Sequence, residues 1–458
     1  VRGKRFRVFL CLEAQRKGMV IKMENQPSVW TDTAVMPQFG ALRHDRTVDV
    51  LVIGGGITGI LCAYYLHDAG IDCALVEADR LCSGVTKNTT AKLTVQHGLI
   101  YARMLRRFGQ ERTELYLRAN TQALEEYRRL CGKIDCNYEE TDSYLYSLHD
   151  AGNIETELTV LQRLHAPAVF SDHLPLPFPT AGAVKFPQQA QFHPLRFLSA
   201  IAGDLCIFER TKVRELIGTT AVTDHGKIKA RKIIAATHFP LLNKHGSYFL
   251  KLYQDRSYVL ALSDAQPLSG IYKDADPAGL SFRSHEGLLL LGGGAHRTGK
   301  PGGAWHPLEE FAAREYPKSE IRYRWAAQDC MTLDDIPYIG NYSARTPDLY
   351  VAAGFNKWGM TSAMVSALLL RDLILGKENP FAQVFSPSRS ILRPQLAVNA
   401  LESAVNLLTP TKKRCPHLGC ALKWNAAEHS WDCPCHGSRF TEGGELIDNP
   451  ATDDLKHK

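Results

Sequence analysis

Four cysteines and two histidines lie close together near the end of the chain, and these side chains can bind metal. The sequence reads Cys415-Pro-His417-Leu-Gly-Cys420 and, further on, Cys433-Pro-Cys435-His436-Gly-Ser. Fifteen residues separate His417 from Cys433. Thiolate sulfur and imidazole nitrogen are ligands of zinc and of iron–sulfur clusters. The two segments therefore predict two loops that share one metal site.

The spacing of these ligands favours iron over zinc. A Rieske [2Fe–2S] cluster binds one iron through two cysteines and the other through two histidines, so two loops suffice when each supplies one of each. The first loop offers Cys415 with His417, and the second offers Cys433 with His436. Zinc loops usually separate paired ligands by two or more residues, so one intervening residue and a spare cysteine in each loop are hard to explain with zinc. A [2Fe–2S] cluster is our interpretation, with a zinc site and a purely structural disulfide as alternatives.

A glycine-rich turn near the start of the chain has the spacing that binds dinucleotides. Gly54, Gly56 and Gly59 follow an apolar run at 48–53, which fits a buried parallel strand. A helix and a second strand then lead to Glu77. The glycines allow a tight turn and a close approach of pyrophosphate to the helix N-terminus, and a carboxylate about 20 residues further on accepts hydrogen bonds from ribose and repels a 2′-phosphate. The segment predicts a dinucleotide site that disfavours NADP.

Three further segments suit the same cofactor. The stretch 81–98 is rich in Gly, Ser, Thr and Asn, whose hydroxyls and loop amides can contact a pyrophosphate or the edge of a flavin ring. Val213 lies where a backbone amide and carbonyl would clasp an adenine. Gly354 and Gly359 frame a loop before a buried helix that begins near Thr361, and the positive end of that helix suits an electron-rich ring edge.

Composition excludes several classes of function. The chain has 458 residues, 45% of them hydrophobic and 22% charged, which suits a soluble protein of two or three domains. No window approaches 18 apolar residues in a row, so no membrane span is expected. Residues 1–22 hold seven basic residues and one acidic residue and thus carry the whole net charge of +6. The rest of the chain is balanced, so nucleic-acid binding has no support.

The basic start is interpreted as an N-terminal extension, residues 1–27. We expect it to be disordered or to result from a misplaced start codon, since Met19 and Met23 lie close by. The apolar run at 8–12 is too short for the core of a signal peptide, and no small-residue cleavage site is evident. We therefore expect a cytoplasmic protein.

The chain between these features predicts a mixed α/β body. Residues 28–45 read as an extended lead-in, and an amphipathic pattern predicts a helix at 101–130. Strands of a second sheet are expected at 250–262 and 280–291, and the three glycines that follow are expected to end the latter strand. Before the cysteine loops, the run 396–408 reads as a helix.

Residues from about Ser28 to Arg389 resemble the D-amino-acid oxidase / glycine oxidase family of FAD flavoproteins. The resemblance lies in the segments GGGITG, SGVTKNTTAKLT, the Ala-Thr-His turn at 236–238, and D-x-x-P-x-I-G followed by AGFNKWGMT. It implies non-covalent FAD and hydride transfer from an amine or amino acid. It also implies an α/β, Rossmann-type FAD-binding domain built from about 45–140, 190–245 and 325–380. An α+β substrate domain would comprise about 141–189 and 246–324.

By position, the resemblance assigns a set of contacts to FAD. They are Gly54, Gly56, Ile57, Thr58, Gly59, Glu77, Thr86, Thr89, Thr90, Val213, Gly354, Gly359, Met360 and Thr361. Hydride loss from a neutral amine needs no acid or base, so the chemistry identifies no catalytic residue. Candidates for anchoring a carboxylate or tuning the flavin are Tyr258, Arg256, Arg297 and Lys357, and for each an ordinary structural role is the more common one.

The cysteine and histidine loops resemble the Rieske family, and Asp448-Asn449-Pro450-Ala451 matches its proline loop. The second cysteine of each loop is left over, and a disulfide between Cys420 and Cys435 would staple the loops. Only 25 residues separate Arg389 from Cys415. We therefore expect residues 391–458 to form a linker helix and a small, truncated all-β Rieske-like domain. The whole chain is similar to bacterial FAD oxidoreductases with a C-terminal Rieske domain.

This combination predicts an electron-transfer enzyme. A flavin accepts two electrons as a hydride, whereas a [2Fe–2S] cluster carries one. The pairing favours a dehydrogenase that passes electrons to an acceptor protein or a quinone-like carrier. The alternatives are an oxidase that uses O₂ and has a structural cluster or zinc tail, and a redox-sensing or electron-transfer protein without an organic substrate.

Overall fold

Three β-sheets organise residues 27–242 and 245–456, which the computed structural model describes. The helices are α1 (Val29–Thr33), α2 (Ile57–Asp68), α3 (Ile100–Cys131), α4 (Ala151–Arg163), α5 (Pro194–Ala202), α6 (Tyr248–Lys251), α7 (His306–Glu315), α8 (Gly359–Ile374), α9 (Ala382–Phe385) and α10 (Pro394–Leu408), with one 3₁₀ turn at Val85–Asn88. The strands are β1 (Arg46–Ile53), β2 (Cys73–Val76), β3 (Lys92–Leu93), β4 (Glu139–Ser147), β5 (Val169–Ser171), β6 (Gly182–Gln191), β7 (Ile207–Phe208), β8 (Val213–Ile217), β9 (Thr220–Thr223), β10 (Gly226–Ala235), β11 (Leu252–Ser263), β12 (Ile271–Asp274), β13 (Ser281–His285), β14 (Leu288–Arg297), β15 (Glu320–Thr332), β16 (Tyr338–Asn341), β17 (Leu349–Ala353), β18 (Lys423–Asn425), β19 (Ser430–Asp432), β20 (Arg439–Thr441) and β21 (Leu446–Asp448).

The first sheet is parallel at its centre. Its order is β16-β17-β10-β1-β2-β7, and the hairpin β8-β9 joins it at β10. The register sets Ile53 beside Ala235 on one side and Val76 on the other, so these strands end level with one another. Because the carboxyl ends of parallel strands form the ligand crevice of an open α/β sheet, the glycine turn after β1 lies at that edge.

The second sheet runs β15-β11-β14-β13-β12-β4-β6-β3 and is largely antiparallel. Its side chains alternate between two faces, as the pleat requires. Leu260 and Leu262 of β11 pack with α7 residues such as Leu308 in one hydrophobic cluster. Val259 and Ala261, from the same strand, belong to the large cluster shared with the helices of the first sheet. Side chains of strand β11 therefore pack into two separate hydrophobic clusters.

Three predictions about strands and loops are wrong. The expected strand at 280–291 is a hairpin of β13 and β14, which turns at Glu286 and Gly287 with φ of 44° and 77°. The three glycines at 292–294 lie inside β14, where a Cβ on Gly293 would meet Leu280 Cδ2 at 2.9 Å. Close packing, not chain termination, explains these glycines. The expected extended lead-in at 28–45 contains helix α1.

The third sheet is small. It has four antiparallel strands of three residues each in the order β18-β19-β20-β21, and α10 is the regular element that precedes it. The small all-β unit expected after a linker helix is confirmed. Among the helices in the described part of the chain, none is both long and apolar enough to cross a bilayer. All but one residue of the expected basic extension, 1–27, lies outside the described ranges.

The glycine turn generates a stability prediction. A Cβ on Gly59 would lie 1.8 Å from the carbonyl oxygen of Gly54, whereas one on Gly84 would meet nothing within 4 Å. We expect Gly59→Ala to lower the free energy of unfolding by about 3 kcal/mol or more, because helix α2 must move away from β1. Gly84→Ala is the matched control and should change the free energy of unfolding by less than about 0.5 kcal/mol. Equal thermal unfolding of the two variants would contradict this packing.

Candidate functional site

The glycine turn is held against the neighbouring strand β10 by backbone contact. Gly54 has a φ of +109°, and a Cβ there would lie 2.5 Å from the carbonyl oxygen of Ala236. Gly56 immediately precedes helix α2, whose first turn includes Ile57 and Thr58. The turn therefore brings backbone amides and a positive helix end to the carboxyl edge of the first sheet. This arrangement suits a pyrophosphate.

The carboxylate of Glu77 lies beside the same turn. It accepts hydrogen bonds from the amides of Gly55 at 2.5 Å and Asp79 at 2.9 Å. Burial raises the pKa of Glu77, while these amides act in the opposite direction. The amide of Thr211 binds the carbonyl of Glu77 at 2.8 Å, and Val213 follows two residues later at the start of β8. The predicted ribose and adenine positions are thus adjacent.

The loop after β2 is fastened by its carbonyl groups. The indole of Trp30 donates to Thr89 O at 2.7 Å, and Arg283 Nη1 donates to Thr90 O at 2.8 Å. The hydroxyl of Thr86 accepts a hydrogen bond from the amide of Ile57 at 3.1 Å, at the start of α2. These hydrogen bonds hold the loop with the predicted contacts Thr86, Thr89 and Thr90 next to the glycine turn.

A second helix begins at the same edge of the sheet. Gly354 follows β17 with a φ of +71°, and Gly359 opens α8. Thr361 bonds His97 Nε2 at 3.0 Å through its hydroxyl, and the carbonyl of Met360 accepts from Tyr127 at 2.9 Å. Burial lowers the pKa of His97 to about 3, so this imidazole is neutral and helps to fix the start of α8.

Polar side chains line the face of the second sheet that looks toward the first. Lys357 Nζ binds Asp329 Oδ2 at 3.1 Å, and Ser257 Oγ donates to the same oxygen at 3.0 Å. Asp255 lies directly opposite Asp329 in the strand register. Burial raises the pKa of Asp255, and the positive charge of Lys357 opposes this shift. Among the four sequence-derived candidates, Lys357 belongs to this face.

Two lysines that the sequence did not single out join this polar group. Burial lowers the pKa of Lys273 to about 8, and the charge of Lys357 acts in the same direction. The pKa of Lys92 is lowered well below its ordinary value, chiefly by burial and to a smaller extent by the positive charges of Lys273 and Arg283. A lysine within a strand of mixed pattern gives no signal by itself. The three lysines together make this region attractive to an anion.

The two cysteine loops have the same backbone form. Cys415 N donates to Cys420 O at 2.9 Å, and Cys433 N donates to Ser438 O at 2.8 Å. In each loop a glycine with positive φ donates back to the carbonyl of the first cysteine, which closes a five-residue turn. A hydrogen bond with Cys433 lowers the pKa of Cys415, which favours the thiolate form that binds metal.

The two predicted histidine ligands lie together. The ring centroids of His417 and His436 are 5.0 Å apart. Burial lowers the pKa of His417 to about 4 and that of His436 to about 3, which favours the neutral, ligating form. His436 Nε2 binds the carbonyl of Phe249 at 2.8 Å. Its buried Nδ1 has no hydrogen-bond partner among the described residues, so this atom fits a metal ligand.

The remaining two cysteines are joined. Cys420 and Cys435 form a disulfide that links one loop to the other. The sulfur atoms of Cys420, Cys433 and Cys435 lie within 4.8 Å of one another. Because the disulfide consumes two of these thiols, the three sulfurs cannot form a zinc site in this state. The donors left are one cysteine and one histidine from each loop, which fits the donor set of a Rieske cluster.

Side chains of the flavoprotein strands hold the second loop by its carbonyls. Gln254 Nε2 donates to His436 O and to Asn449 O, each at 2.9 Å. Gln328 Nε2 donates to Gly437 O at 2.8 Å. A Cβ on Gly437 would lie 2.5 Å from Gln254 Cβ, so the loop can approach this closely only with glycine there.

Arg297 completes this attachment. Its guanidinium donates to Pro434 O, Cys435 O and Asn399 Oδ1, each at 2.9 Å. It also lies over the ring of Tyr253, 4.8 Å from the centroid. Arg297, proposed from the sequence as a carboxylate anchor, is thus engaged with the cysteine loop and helix α10.

A buried ionic network joins the small sheet to β11. Glu428 binds the guanidinium groups of Arg256 and Arg439, the latter at 2.8 Å. Arg439 also pairs with Asp432 at 3.0 Å and with Asp448 at 3.1 Å. Arg256 is 3% exposed and Arg439 is 4% exposed, so little water screens these pairs. The network fixes the orientation of the small unit.

Tyr258 takes part in the same network. Its hydroxyl contacts Glu428 Oε1 at 3.2 Å and His296 Nε2 at 3.0 Å. Because side chains alternate along β11, Arg256 and Tyr258 project to the face opposite Asp255 and Ser257. The structure therefore separates the four candidates: Lys357 lies on one face, Arg256 and Tyr258 contact Glu428 of the small unit, and Arg297 binds the second cysteine loop.

The two predicted redox sites meet at the turn after β10. Ala236 touches the glycine turn, and the next residue, Thr237, accepts a hydrogen bond from Asn449 Nδ2 at 2.5 Å. The ring of Phe239 lies 6.0 Å from the ring of His417 and 6.2 Å from that of His436. One four-residue turn thus contacts both the dinucleotide edge and the histidine side of the metal loops.

Comparisons with known proteins agree with this geometry. Residues 49–373 match the family described as FAD dependent oxidoreductase (DAO), and residues 395–457 match the Rieske [2Fe-2S] domain. The chain is 34% identical, over 497 aligned positions, to YhfW of Bacillus subtilis (strain 168), which carries the provisional name of a Rieske 2Fe-2S iron-sulfur protein. That alignment covers 94% of this chain and 97% of YhfW.

Two solved structures show the same fold in the larger part of the chain. Glycine oxidase from Geobacillus kaustophilus has a TM-score of 0.63 at 20% identity and covers 76% of this chain and 100% of its own. L-Proline dehydrogenase from P. horikoshii has a TM-score of 0.64 at 17% identity and covers 75% of this chain and 98% of its own. The fold class expected from the sequence is confirmed.

The ionic network generates a pH prediction. Burial raises the pKa of Glu428, but the charges of Arg256 and Arg439 outweigh burial and lower it to about 2, from an ordinary value of 4.5. A depressed carboxyl pKa stabilises the fold above the ordinary value, and this contribution is lost as the pH falls from 4.5 toward 2. We expect Glu428→Gln to cost about 3 kcal/mol at neutral pH and to flatten the acid dependence of unfolding.

The control for this prediction is Glu445→Gln, which changes an exposed carboxylate of the same small unit. It should leave both the unfolding free energy at neutral pH and its acid dependence unchanged. Chemical denaturation at a series of pH values measures both quantities. An unaltered acid slope in Glu428→Gln would show that the network does not stabilise the fold in this way.

Proposed function

Because this chain belongs to the FAD dependent oxidoreductase (DAO) family and carries a Rieske [2Fe-2S] domain, we propose that it oxidises a small amine or amino acid and releases the electrons through the Rieske domain to an external acceptor. FAD supplies hydride acceptance, and the cluster supplies one-electron transfer. We assign residues 28–390 to the flavoprotein part and 391–458 to the linker helix and the Rieske part.

The residues that hold FAD are, in this proposal, those at the carboxyl edge of the first sheet. The turn at Gly54–Gly59 and the start of α2 would bind the pyrophosphate, and Glu77 would bind the ribose. Val213 would contact the adenine. The loop with Thr86, Thr89 and Thr90 would lie along the cofactor. The start of α8, with Gly354, Gly359, Met360 and Thr361, would direct its positive end at the flavin ring.

The cluster ligands in this proposal are Cys415, His417, Cys433 and His436. Three observations support them: the matched loops, the adjacent imidazoles and the buried, unpartnered Nδ1 of His436. The disulfide between Cys420 and Cys435 staples the two loops around this position. We assign no catalytic residue.

The lysine group supports an anionic or zwitterionic substrate. Lys92, Lys273 and Lys357 gather on the sheet face that looks toward the proposed flavin site. Lys357 pairs there with Asp329, and Lys273 Nζ donates to the carbonyls of Asp276 and Gly279. A carboxylate beside these lysines would have its charge neutralised, and the amine would be left for oxidation. Amino acids fit this requirement better than simple amines.

The observation that carries the proposal is the shared turn at 236–239. Its backbone packs on the glycine turn, it accepts a hydrogen bond from Asn449, and its Phe239 ring lies against both proposed histidine ligands. Gln254, Gln328 and Arg297 hold the second loop in that position. A structural cluster or zinc tail with no role in turnover would not need to dock its ligand loops beside the cofactor turn.

We expect His436→Ala to separate the two half-reactions. The purified variant should retain FAD and lose iron, because one ligand is gone and the dinucleotide edge is untouched. In the parent protein, anaerobic mixing with an oxidisable amino acid should bleach the visible flavin absorbance and produce a rhombic Rieske signal in low-temperature EPR. In the variant, only the bleach should remain. His429→Asn, at an exposed histidine of the same unit, should behave as the parent.

Three outcomes would contradict the proposal. Zinc in place of iron in the purified parent would remove the electron exit. Hydrogen peroxide formed in air at the rate of substrate loss would favour an oxidase. Absence of flavin bleaching across amines and amino acids would favour a redox-sensing protein without an organic substrate.

The lysine group gives a prediction about substrate charge. We expect Lys273→Met to raise KM for amino acids by about tenfold or more, with a smaller change in kcat, because a charged hydrogen bond or ion pair is lost. Since the pKa of Lys273 is about 8, its charge is lost as the pH rises through that value. The kcat/KM of the parent, divided by that of Lys273→Arg at the same pH, should therefore fall above about pH 8.

Steady-state kinetics with an artificial electron acceptor measure these quantities for matched pairs of amino acid and decarboxylated amine. The amine without a carboxylate should show little difference between parent and Lys273→Met. Lys318→Met, at an exposed lysine, is the control. An equal loss for both substrates would show that Lys273 has a structural role instead.

A further inference from the structure

The linker helix α10 presents its apolar side to solvent and its polar side to the protein. Asn399 and Asn406 are each 3% exposed, whereas Leu401 is 67% exposed and Leu408 is 83% exposed. The exposed positions of the helix are Pro394, Ala397, Val398, Ala400, Leu401, Ala404, Val405, Leu407 and Leu408, and none is polar. A helix on the surface of a globular protein normally has the opposite arrangement. The solvent-facing side therefore requires a partner.

The polar side of α10 is engaged, so the helix cannot simply rotate. Asn399 Oδ1 accepts from Arg297, which also holds the second cysteine loop. The carbonyl of Asn406 accepts from the amide of Ala421 at 2.9 Å, and Glu402 pairs with Lys300 at 2.7 Å. These contacts tie the helix to both parts of the chain. The outward direction of the leucines and valines is thus fixed by the fold.

The exposed apolar surface continues beyond the helix. We call the set Leu392, Val398, Leu401, Val405, Leu407, Leu408 and Leu418 the apolar face. Together with Trp424, these account for eight of the fifteen large hydrophobic residues that are exposed in the described ranges. So strong a concentration in one segment distinguishes it from singly scattered surface residues, which need no explanation.

Basic residues flank the apolar face at both ends. Arg393 precedes α10, and the exposed Lys412 and Arg414 follow it. Arg393 also lines a cavity of about 530 Å³ with Arg107 and Arg112. Within α10 the single charged residue is Glu402, which Lys300 already neutralises. An apolar helix side with cationic ends is the pattern of helices that lie in the surface of an anionic membrane.

The charges disfavour a second copy of this chain as the partner. In an antiparallel pair of α10 helices, Arg393 of one copy would approach Lys412 and Arg414 of the other. In a parallel pair Arg393 of one copy would approach Arg393 of the other, and the ends with Lys412 and Arg414 would likewise approach each other. Both arrangements bring like charges together, and the one acidic residue of α10, Glu402, is already paired with Lys300. An anionic lipid surface would instead attract both ends.

We propose that the apolar face inserts into the surface of an anionic bilayer, so that the protein is a peripheral membrane protein. The leucine and valine side chains would enter the boundary between headgroups and acyl chains, and the flanking lysine and arginine side chains would bind lipid phosphates. Leu418 follows His417 in the first cysteine loop and belongs to the apolar face. If the proposed function holds, the metal loops lie close to the lipid, where an apolar electron acceptor dissolves.

Vesicle binding tests the proposal without any redox step. The oxidised, full-length holoprotein is sedimented with phosphatidylcholine vesicles that contain or lack phosphatidylglycerol. We expect binding to the anionic vesicles, at least about tenfold weaker binding to neutral ones, and partial release by salt. The double variant Leu401→Glu with Val405→Glu should bind the anionic vesicles at least about tenfold more weakly. Both positions are more than half exposed, so the fold should tolerate the change.

Val35→Glu is the matched control. It also introduces a glutamate at an exposed apolar residue, but at a position distant in sequence from the apolar face. It should bind as the parent does. Failure of the parent to bind anionic vesicles, or equal binding by parent and double variant, would overturn the proposal. A dimer in lipid-free solution that Leu401→Glu converts to monomer would overturn it in favour of a second copy. Because flavin bleaching and EPR are read separately, failure here leaves the proposed redox function standing.

Discussion

The two-residue period of strand β11 is the constraint on which both sites depend. Asp255 and Ser257 face the polar region proposed for the substrate, and the residues between and beside them, Gln254, Arg256 and Tyr258, face the Rieske part. A shift of one residue in register would exchange the two sets. The neighbouring strand β15 repeats the division, with Asp329 on one side and Gln328 on the other. Strands β11 and β15 thus separate the polar region proposed for the substrate from the Rieske part, and they supply side chains to both.

The small sheet could not maintain this arrangement unaided. Its strands have three residues each, and apart from cysteines its buried apolar core consists of Leu422, Phe440 and Ala451. So small a core contributes little stability. Compensation comes from the disulfide, from the buried charges around Arg439 and from hydrogen bonds to backbone carbonyls of the cysteine loop. Loss of one member of this network would leave a buried charge without its partner, so the network both fixes the orientation of the small unit and makes any single loss costly.

Sequence reasoning succeeded where the chemistry is local. The glycine turn and the cysteine loops are each built from short segments, so their spacing predicted a dinucleotide site and a [2Fe–2S] cluster, and the resemblance to two families drew on further motifs as well. It failed where function depends on tertiary neighbours. Lys92 and Lys273 lie far apart in the chain, and only the folded sheet brings their charges together. The periodicity of α10 predicted a helix but could not show which side is buried, because Asn399 and Asn406 find partners on distant segments.

The attachment through Arg297 has a consequence for how such a chain can change over generations. One guanidinium binds the cysteine loop, the linker helix and a strand-borne aromatic ring of the flavoprotein. Gln254, Gln328 and Arg256 are similarly committed, because each is buried and binds a residue of the Rieske part. Removal of the C-terminal part would leave amide and guanidinium groups without their partners on what had been an interior surface. The two parts are therefore poor candidates for exchange as separate cassettes. If one part were lost in evolution, the surface residues of the other part would have to change as well. The flavoprotein part and the Rieske part are therefore expected to be inherited, and to diverge, as a single unit.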